Sequence, residues 1–178
     1  MRPALAADAP AIAHIQVRSW RAAFRELLPA TALDSMTGEA AREQYEQQWL
    51  QSVEQPPSSH HRVLTALARN TVTGFAAYGP SGDDDRWART DAELYTLTVD
   101  PDHYHAGHGS RLLNATVDLL REDGYQTLST WVFADDARYR GFLTSSGWAA
   151  DGSRRGLDLD ELAPDTVAEQ VRMVTRLS

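Results

Sequence analysis

ELYTLTVDPDHYHAGHGSRLL, residues 93–113, carries a strand, a turn and the start of a helix in one run. Leu94 to Val99 is rich in β-branched and aromatic residues and reads as a buried strand. Asp100-Pro101 ends it, because proline has no N–H to give a ladder. Gly107 and Gly109 stand just ahead of a helical pattern in which Leu112, Leu113, Thr116, Val117, Leu119 and Leu120 recur at spacings of three and four. Gly124 follows at the position where a helix ends on a left-handed residue. A strand, a glycine-bearing turn and a helix N-terminus can hold an anion, because the first helical N–H groups have no partners and glycine lets a phosphate approach the backbone. An ordinary strand-to-helix connection fits the spacing equally well. Two nucleotide motifs are excluded. A P-loop needs a lysine, and all 17 basic residues are arginine. The dinucleotide G-x-G-x-x-G needs a third glycine where position 112 is Leu.

Upstream, Arg2 to Leu5 reads as a short strand. Asp8 is the expected N-cap of a helix with Pro10 in its first turn and Ile12, Ile15, Trp20 and Phe24 on its inner face, ending near Pro29. Pro29 to Met36 reads as a short helical piece. Thr37 is expected to cap a third helix, with Tyr45, Trp49 and Val53 toward the core. Gln55 to His61 is a loop by its prolines and serines. Arg62 to Ala68 and Val72 to Tyr78 read as a hairpin turning at Asn70-Thr71, and Gly79 to Arg89 as a second loop, with Asp83-Asp84-Asp85 in it.

Downstream of the 109–123 helix, Thr127 to Phe133 alternates as a strand. Asp135 or Asp136 caps a helix running to about Ser146. Gly147-Trp148 opens another strand, a loop with Arg154-Arg155 follows, and Glu169 to Leu177 is the last strand. The order β-α-α-β-β-β-α-β-α-β-β describes an α/β fold with a mixed, mostly antiparallel central sheet flanked by helices.

With 178 residues the chain is expected to be a single domain spanning 1–178. No run approaches the roughly 20 apolar residues of a membrane span, so no membrane partner is expected. The first residues make a poor signal peptide, and there is no cysteine for a disulfide, a thiol nucleophile or a Cys-based zinc site. A cytoplasmic location is the expectation. The net charge of −8 argues against nucleic acid as a partner and suits an amine-bearing one, although acidity alone also serves solubility. No metal is expected: His60-His61 lies in a polar loop, and His103 and His105 lack a third ligand at a suggestive spacing.

The 93–113 stretch resembles the acyl-CoA-binding core of the GNAT superfamily of N-acetyltransferases, in which a strand is followed by [Q/R]-x-x-G-x-[G/A] opening a helix. On this chain the motif falls on Tyr104, His105, Ala106, Gly107, His108 and Gly109, with Tyr104 departing from its first position. WVFADDARYRGFLTSSGW is similar to the family's next strand and helix, N-x-x-A-x-x-F-Y-x-x-x-G-F. VRSWRAAFRELLP is similar to the openings of small GNAT enzymes.

The resemblance implies an acyl-CoA-dependent N-acetyltransferase that moves acetyl from acetyl-CoA (coenzyme A), as co-substrate, to a primary amine of a small molecule by direct attack. The other option is a non-catalytic acyl-CoA-binding module, a sensor or partner domain. It implies that backbone N–H groups from Tyr104 to Ser110 hold the diphosphate, with His103, His105, His108 or Arg111 supplying the charge that Tyr104 lacks. One of these histidines is expected to be cationic, so that CoA affinity falls as pH rises through about 6 to 7. Leu97, Thr98 and Val99 are expected to carry the pantetheine arm, with the Val99 N–H as oxyanion donor and Asp136 accepting a hydrogen bond from the arm. Glu93 is the first choice for general base and Asp91 the second. The family's proton-donating tyrosine falls on Leu143, which cannot donate; Tyr139, four residues earlier, is the substitute, or a packing tyrosine. Residues 24–36 and the Asp83–Asp85 loop are where a substrate lid is expected. A homodimer through exposed sheet edges is one further option.

Overall fold

A computed structural model describes residues 1–26, 28–158 and 167–177. Its strands are β1 (Arg2–Pro3), β2 (Arg62–Ala68), β3 (Thr71–Pro80), β4 (Asp91–Val99), β5 (Thr127–Phe133), β6 (Ala149–Asp158) and β7 (Val167–Arg176). Its helices are α1 (Ala9–Phe24), α2 (Ala30–Thr37), α3 (Glu39–Glu54), α4 (His108–Glu122) and α5 (Ala137–Ser145). The strands form one seven-stranded sheet in the order β1-β2-β3-β4-β5-β7-β6. β4 runs parallel to β5, while β1–β2, β2–β3, β5–β7 and β6–β7 are antiparallel. This is the mixed α/β architecture expected. No helix among the described residues is long and apolar enough to cross a membrane.

The chain divides into two compact units, Met1–Tyr78 with Thr96–Thr116, and Gly79–Tyr95 with Val117–Ser178. In the first, Ile12 and Ile15 of α1 are buried with Phe75 of β3, and Trp49 and Val63 pack against them. Burying one such side chain fully is worth about 1.5–3 kcal/mol. α3 buries no residue completely, so its expected inner face is only half-buried. Trp49 nevertheless sits edge-on to Phe75 at 5.0 Å and donates its Nε1–H to Gln16, and Tyr45 meets Trp20 at 5.3 Å.

In the second unit, Leu94, Leu120, Leu128, Val132, Leu143, Trp148 and Met173 are buried. Leu128 and Val132 show the alternation read from the sequence. Ser129 is buried as well, because its hydroxyl donates to the Ala92 carbonyl of the neighbouring strand.

Several local expectations are corrected. The Asp8 carboxylate does not cap α1; it turns back to the Leu5 N–H and to Arg2. A guanidinium adds charge to that choice, which the first turn of α1 could not. Thr37 is the last residue of α2 rather than the cap of α3. Its hydroxyl donates to the Leu33 carbonyl, and Gly38 takes the N-cap place. The first segment holds the three helical pieces expected, although the element order written from the sequence counted two. The hairpin turns at Arg69-Asn70, with Arg69 left-handed. Arg154 and Arg155 lie within β6, which bulges between Ala150 and Arg154. The continuation of their expected loop past residue 158, and Leu27 inside the 24–36 stretch, lie outside the described residues.

Candidate active site

The first unit contains the turn that opens α4. Asp100 caps a short 3-10 turn at Pro101–His103 by accepting from the Asp102 N–H. Beyond it the chain is bent by two left-handed residues, His105 at φ 61° and Gly107 at φ 75°. Among the described residues, the backbone N–H groups of residues 105–110 have no acceptor, whereas the Arg111 N–H returns to the Gly107 carbonyl. Most of this turn is exposed, and nothing stands within 4 Å of the place a Gly107 side chain would occupy. Open space, unpaired amides and the positive end of α4 make a cradle that fits a diphosphate.

Arg111 holds the turn in shape, donating from Nη2 to the Ala106 carbonyl at 3.2 Å and to His108 Nδ1 at 3.1 Å. His108 is buried against Thr73. Burial first, then Arg111 and His103, depresses its basicity. Its Nδ1 is occupied by Arg111 and Thr73, so His103, His105 and Arg111 are the members of the expected set better placed to supply charge. His105 is exposed on the turn, and His103 is half-exposed beside Asp100.

The end of β4 enters this unit as Thr96–Val99, all half-buried. Ser19 of α1 donates to the Val99 carbonyl. Gly74 of β3 admits the approach of β4, because a Cβ there would lie 2.8 Å from the Thr98 carbonyl oxygen.

In the second unit β4 pairs with β5 over Asp91↔Thr127, Ala92↔Leu128 and Glu93↔Ser129, and Thr130 still donates to the Leu94 carbonyl. β5 pairs with β7 along its whole length. Paired residues share a face of the sheet. Glu93 therefore stands on the face of Ser129, Trp131 and Phe133. The pairs Trp131↔Arg172, Phe133↔Gln170 and Arg155↔Gln170 bring Arg172, Gln170 and Arg155 onto the same face.

Arg172, buried, anchors the loop before β4. It donates to Asp83, Asp85, Asp151 and Ser153 at 2.5–2.9 Å. Its guanidinium holds the Asp85 carboxyl down at about 2. Two of the three loop acids are thus bound, and Asp83 also accepts from Trp131 Nε1. The expected substrate-lid loop is tied down by these ion pairs.

Glu93 is half-buried, and its carboxyl is pushed up by burial and then by Asp83, against the Gly82 N–H, Arg155 and Arg172. Asp91 differs. Burial raises it, but donation from Thr127, the Trp87 N–H and Thr90 outweighs that and holds it low. Asp91 thus closes a loop, whereas the Glu93 carboxyl is the one of the two whose pKa is raised.

Asp136 caps α5, accepting the Tyr139 N–H at 2.8 Å through Oδ1. Leu143, at the family's tyrosine position, is fully buried. The Tyr139 hydroxyl is buried without a hydrogen-bond partner among the described residues, and burial raises its pKa far above the ordinary phenol value. The sequence reading missed Trp131, Arg155 and Arg172 as site residues. Period-two alternation through Ser129 and Trp131 was the signal for the first; the arginines come to this face only through strand register.

The profile of the acetyltransferase (GNAT) family matches residues 17–148. The chain is 25% identical over 132 residues to the uncharacterized N-acetyltransferase YuaI of Bacillus subtilis (strain 168), covering 74% of this chain and 70% of that protein. Among solved structures, the PaiA N-acetyltransferase of Thermoplasma acidophilum in complex with coenzyme A superposes with a TM-score of 0.75 at 18% identity, over 98% of this chain and 96% of that one. YncA of Salmonella typhimurium, a putative acetyltransferase with its cofactor acetyl-CoA, gives 0.65 at 21% identity over 99% and 92%. These two likenesses concern the fold.

Proposed function

Because the chain belongs to the acetyltransferase (GNAT) family, we propose that it acetylates the primary amine of a small molecule by direct attack on acetyl-CoA. Acetyl-CoA supplies the acetyl group as a thioester: a C–S bond breaks, an N–C bond forms, nitrogen loses a proton and sulfur gains one. The observation that carries the reading is the bent turn at residues 105–110, whose amides have no acceptor among the described residues.

Each remaining task has a residue. Backbone amides from His105 to Ser110 hold the diphosphate, since the Tyr104 N–H is taken by the Pro101 carbonyl. Leu97, Thr98 and Val99, half-buried at the end of β4, hold the pantetheine arm. The Val99 N–H donates to the thioester oxygen, and Oδ2 of Asp136, which has no hydrogen-bond partner among the described residues, accepts from the arm. An alkylamine has a pKa near 10.4 and is charged at neutral pH, so Glu93 takes its proton, directly or through water. Tyr139 stays protonated through the working range, so its hydroxyl donates a proton to the departing sulfur and regains one from water, to which Glu93 releases the proton it took from the amine.

The test is release of coenzyme A from acetyl-CoA with a panel of amines. The reading expects thiol and acetylated amine in equal amounts. Tight coenzyme A binding without turnover would instead identify an acyl-CoA-binding module. The chain has no lysine, so acetylation of its own side-chain amines cannot account for thiol release.

A further inference from the structure

Arg154 and Arg155 are neighbours on β6 with different surroundings. Arg154 pairs with Glu169 at 2.8 Å on one face of the sheet. Arg155, on the other, has no carboxylate partner among the described residues. Its Nε donates to Gln170 Oε1 at 2.7 Å, and its guanidinium lies 4.3 Å from the centroid of the Trp131 ring. One edge of the group and one face are therefore fixed, while the two terminal nitrogens have no acceptor among the described residues. This arrangement suits a carboxylate, which takes two parallel N–H bonds from an oriented guanidinium.

The neighbourhood supports this use. Arg172, also near Trp131, is saturated by Asp83, Asp85, Asp151 and Ser153, so it has no capacity left for a ligand. Trp131 lies on the same sheet face as Glu93, about 5 Å across and about 7 Å along from it by strand spacing. Arg155 is near enough for its charge to be felt at the Glu93 carboxyl, yet the two form no ion pair. A cation and a proton acceptor thus face the same side of the sheet, with Trp131 on that face as well.

We propose that Arg155 binds a carboxylate of the acceptor, so that the amine acetylated belongs to an amino acid or a similarly short amino carboxylate. This rests on the acetyl-transfer reading above and adds the substrate class. Trp131 and Gln170 orient the guanidinium, and the fork sets specificity without taking part in bond making.

The experiment compares α-, β- and γ-amino acids with their carboxamides, in the unaltered chain and in Arg155→Met and Arg155→Lys. Each acid is expected to have a KM about 10–100-fold lower than its amide, the range expected for hydrogen bonds to a charged group. Arg155→Met should raise KM for the acid by that factor and change KM for the amide far less, so that the preference for the acid disappears. Arg155→Lys should recover part of the loss. Equal use of acid and amide, or a preference that survives Arg155→Met, overturns the proposal. If no amine releases thiol, the acetyl-transfer reading fails. Calorimetry of the amino acid added to the coenzyme A complex then decides this proposal separately. Binding lost in Arg155→Met supports it, and no binding overturns it.

Discussion

Arg111 Nη2 stands 3.1 Å from His108 Nδ1, and that contact fixes the charge of the imidazole. A guanidinium can only donate, so Nδ1 must accept and the ring proton sits on Nε2. Thr73 Oγ1, 3.2 Å away, shares the same nitrogen. His108 is thus a neutral brace between β3 and the turn that opens α4.

The brace predicts a pH effect on stability. His108 has its pKa lowered from 6.5 in the folded chain, so below about that pH the unfolded state binds a proton that the folded state takes up only later. Its contribution is therefore present above that pH and is lost as pH falls through the folded value. Urea midpoints from pH 7 to 5 should fall more steeply for the unaltered chain than for His108→Gln. Parallel slopes would contradict this. Coenzyme A affinity between pH 6 and 7 should keep its slope in His108→Gln, because Nδ1 is already occupied by the Arg111 guanidinium.

Gly74 and Thr98 make the next prediction. Gly74→Ala places a Cβ 2.8 Å from the Thr98 carbonyl oxygen and 3.2 Å from the Val99 Cα, both backbone atoms. Overpacking of this kind typically costs about 1–3 kcal/mol, and chemical denaturation should show it. The same shift moves the stretch assigned to the pantetheine arm, so coenzyme A affinity should fall in the folded variant.

Glu93→Gln tests the base. Loss of a positioned base typically costs about 10²–10⁴-fold, and kcat/KM should fall within that range. Since burial and Asp83 raise the Glu93 pKa, activity in the unaltered chain should climb with pH above the ordinary carboxylate range. That limb should vanish in the variant, leaving the ionisation of the amine. Unchanged turnover would remove Glu93 from the reaction.

Tyr139→Phe separates catalysis from packing. The hydroxyl is buried and unpaired, and an unsatisfied group of this kind costs about 1–3 kcal/mol. The variant should therefore melt no lower than the parent, while kcat falls by about tenfold or more, as for loss of a general acid. An unchanged kcat would make Tyr139 a packing residue and leave the thiolate to depart unaided.

Much of this was legible in the sequence where the signal is local. Thr127–Phe133 alternates and is the strand expected. Asp136 caps α5, and Gly124 ends α4 with a positive φ. These features depend on a few neighbouring side chains. What was not legible depends on distant ones. Asp8 turned to Arg2, and Thr37 turned to Leu33 and Arg21, because partners competed for the same side chains. His105 was seen as a side chain, while its structural part is a left-handed backbone that a non-glycine residue rarely adopts. Arg155 looked like a loop residue until the bulge in β6 set its register against Gln170.

The central claim is that backbone amides at residues 105–110 hold a diphosphate, and titration calorimetry with coenzyme A and with pantetheine tests it most directly. The account predicts one-to-one binding of coenzyme A, with pantetheine weaker by about tenfold or more, since charge-assisted hydrogen bonds from the turn carry the affinity. Absence of heat with coenzyme A, or equal affinity for both compounds, would contradict it.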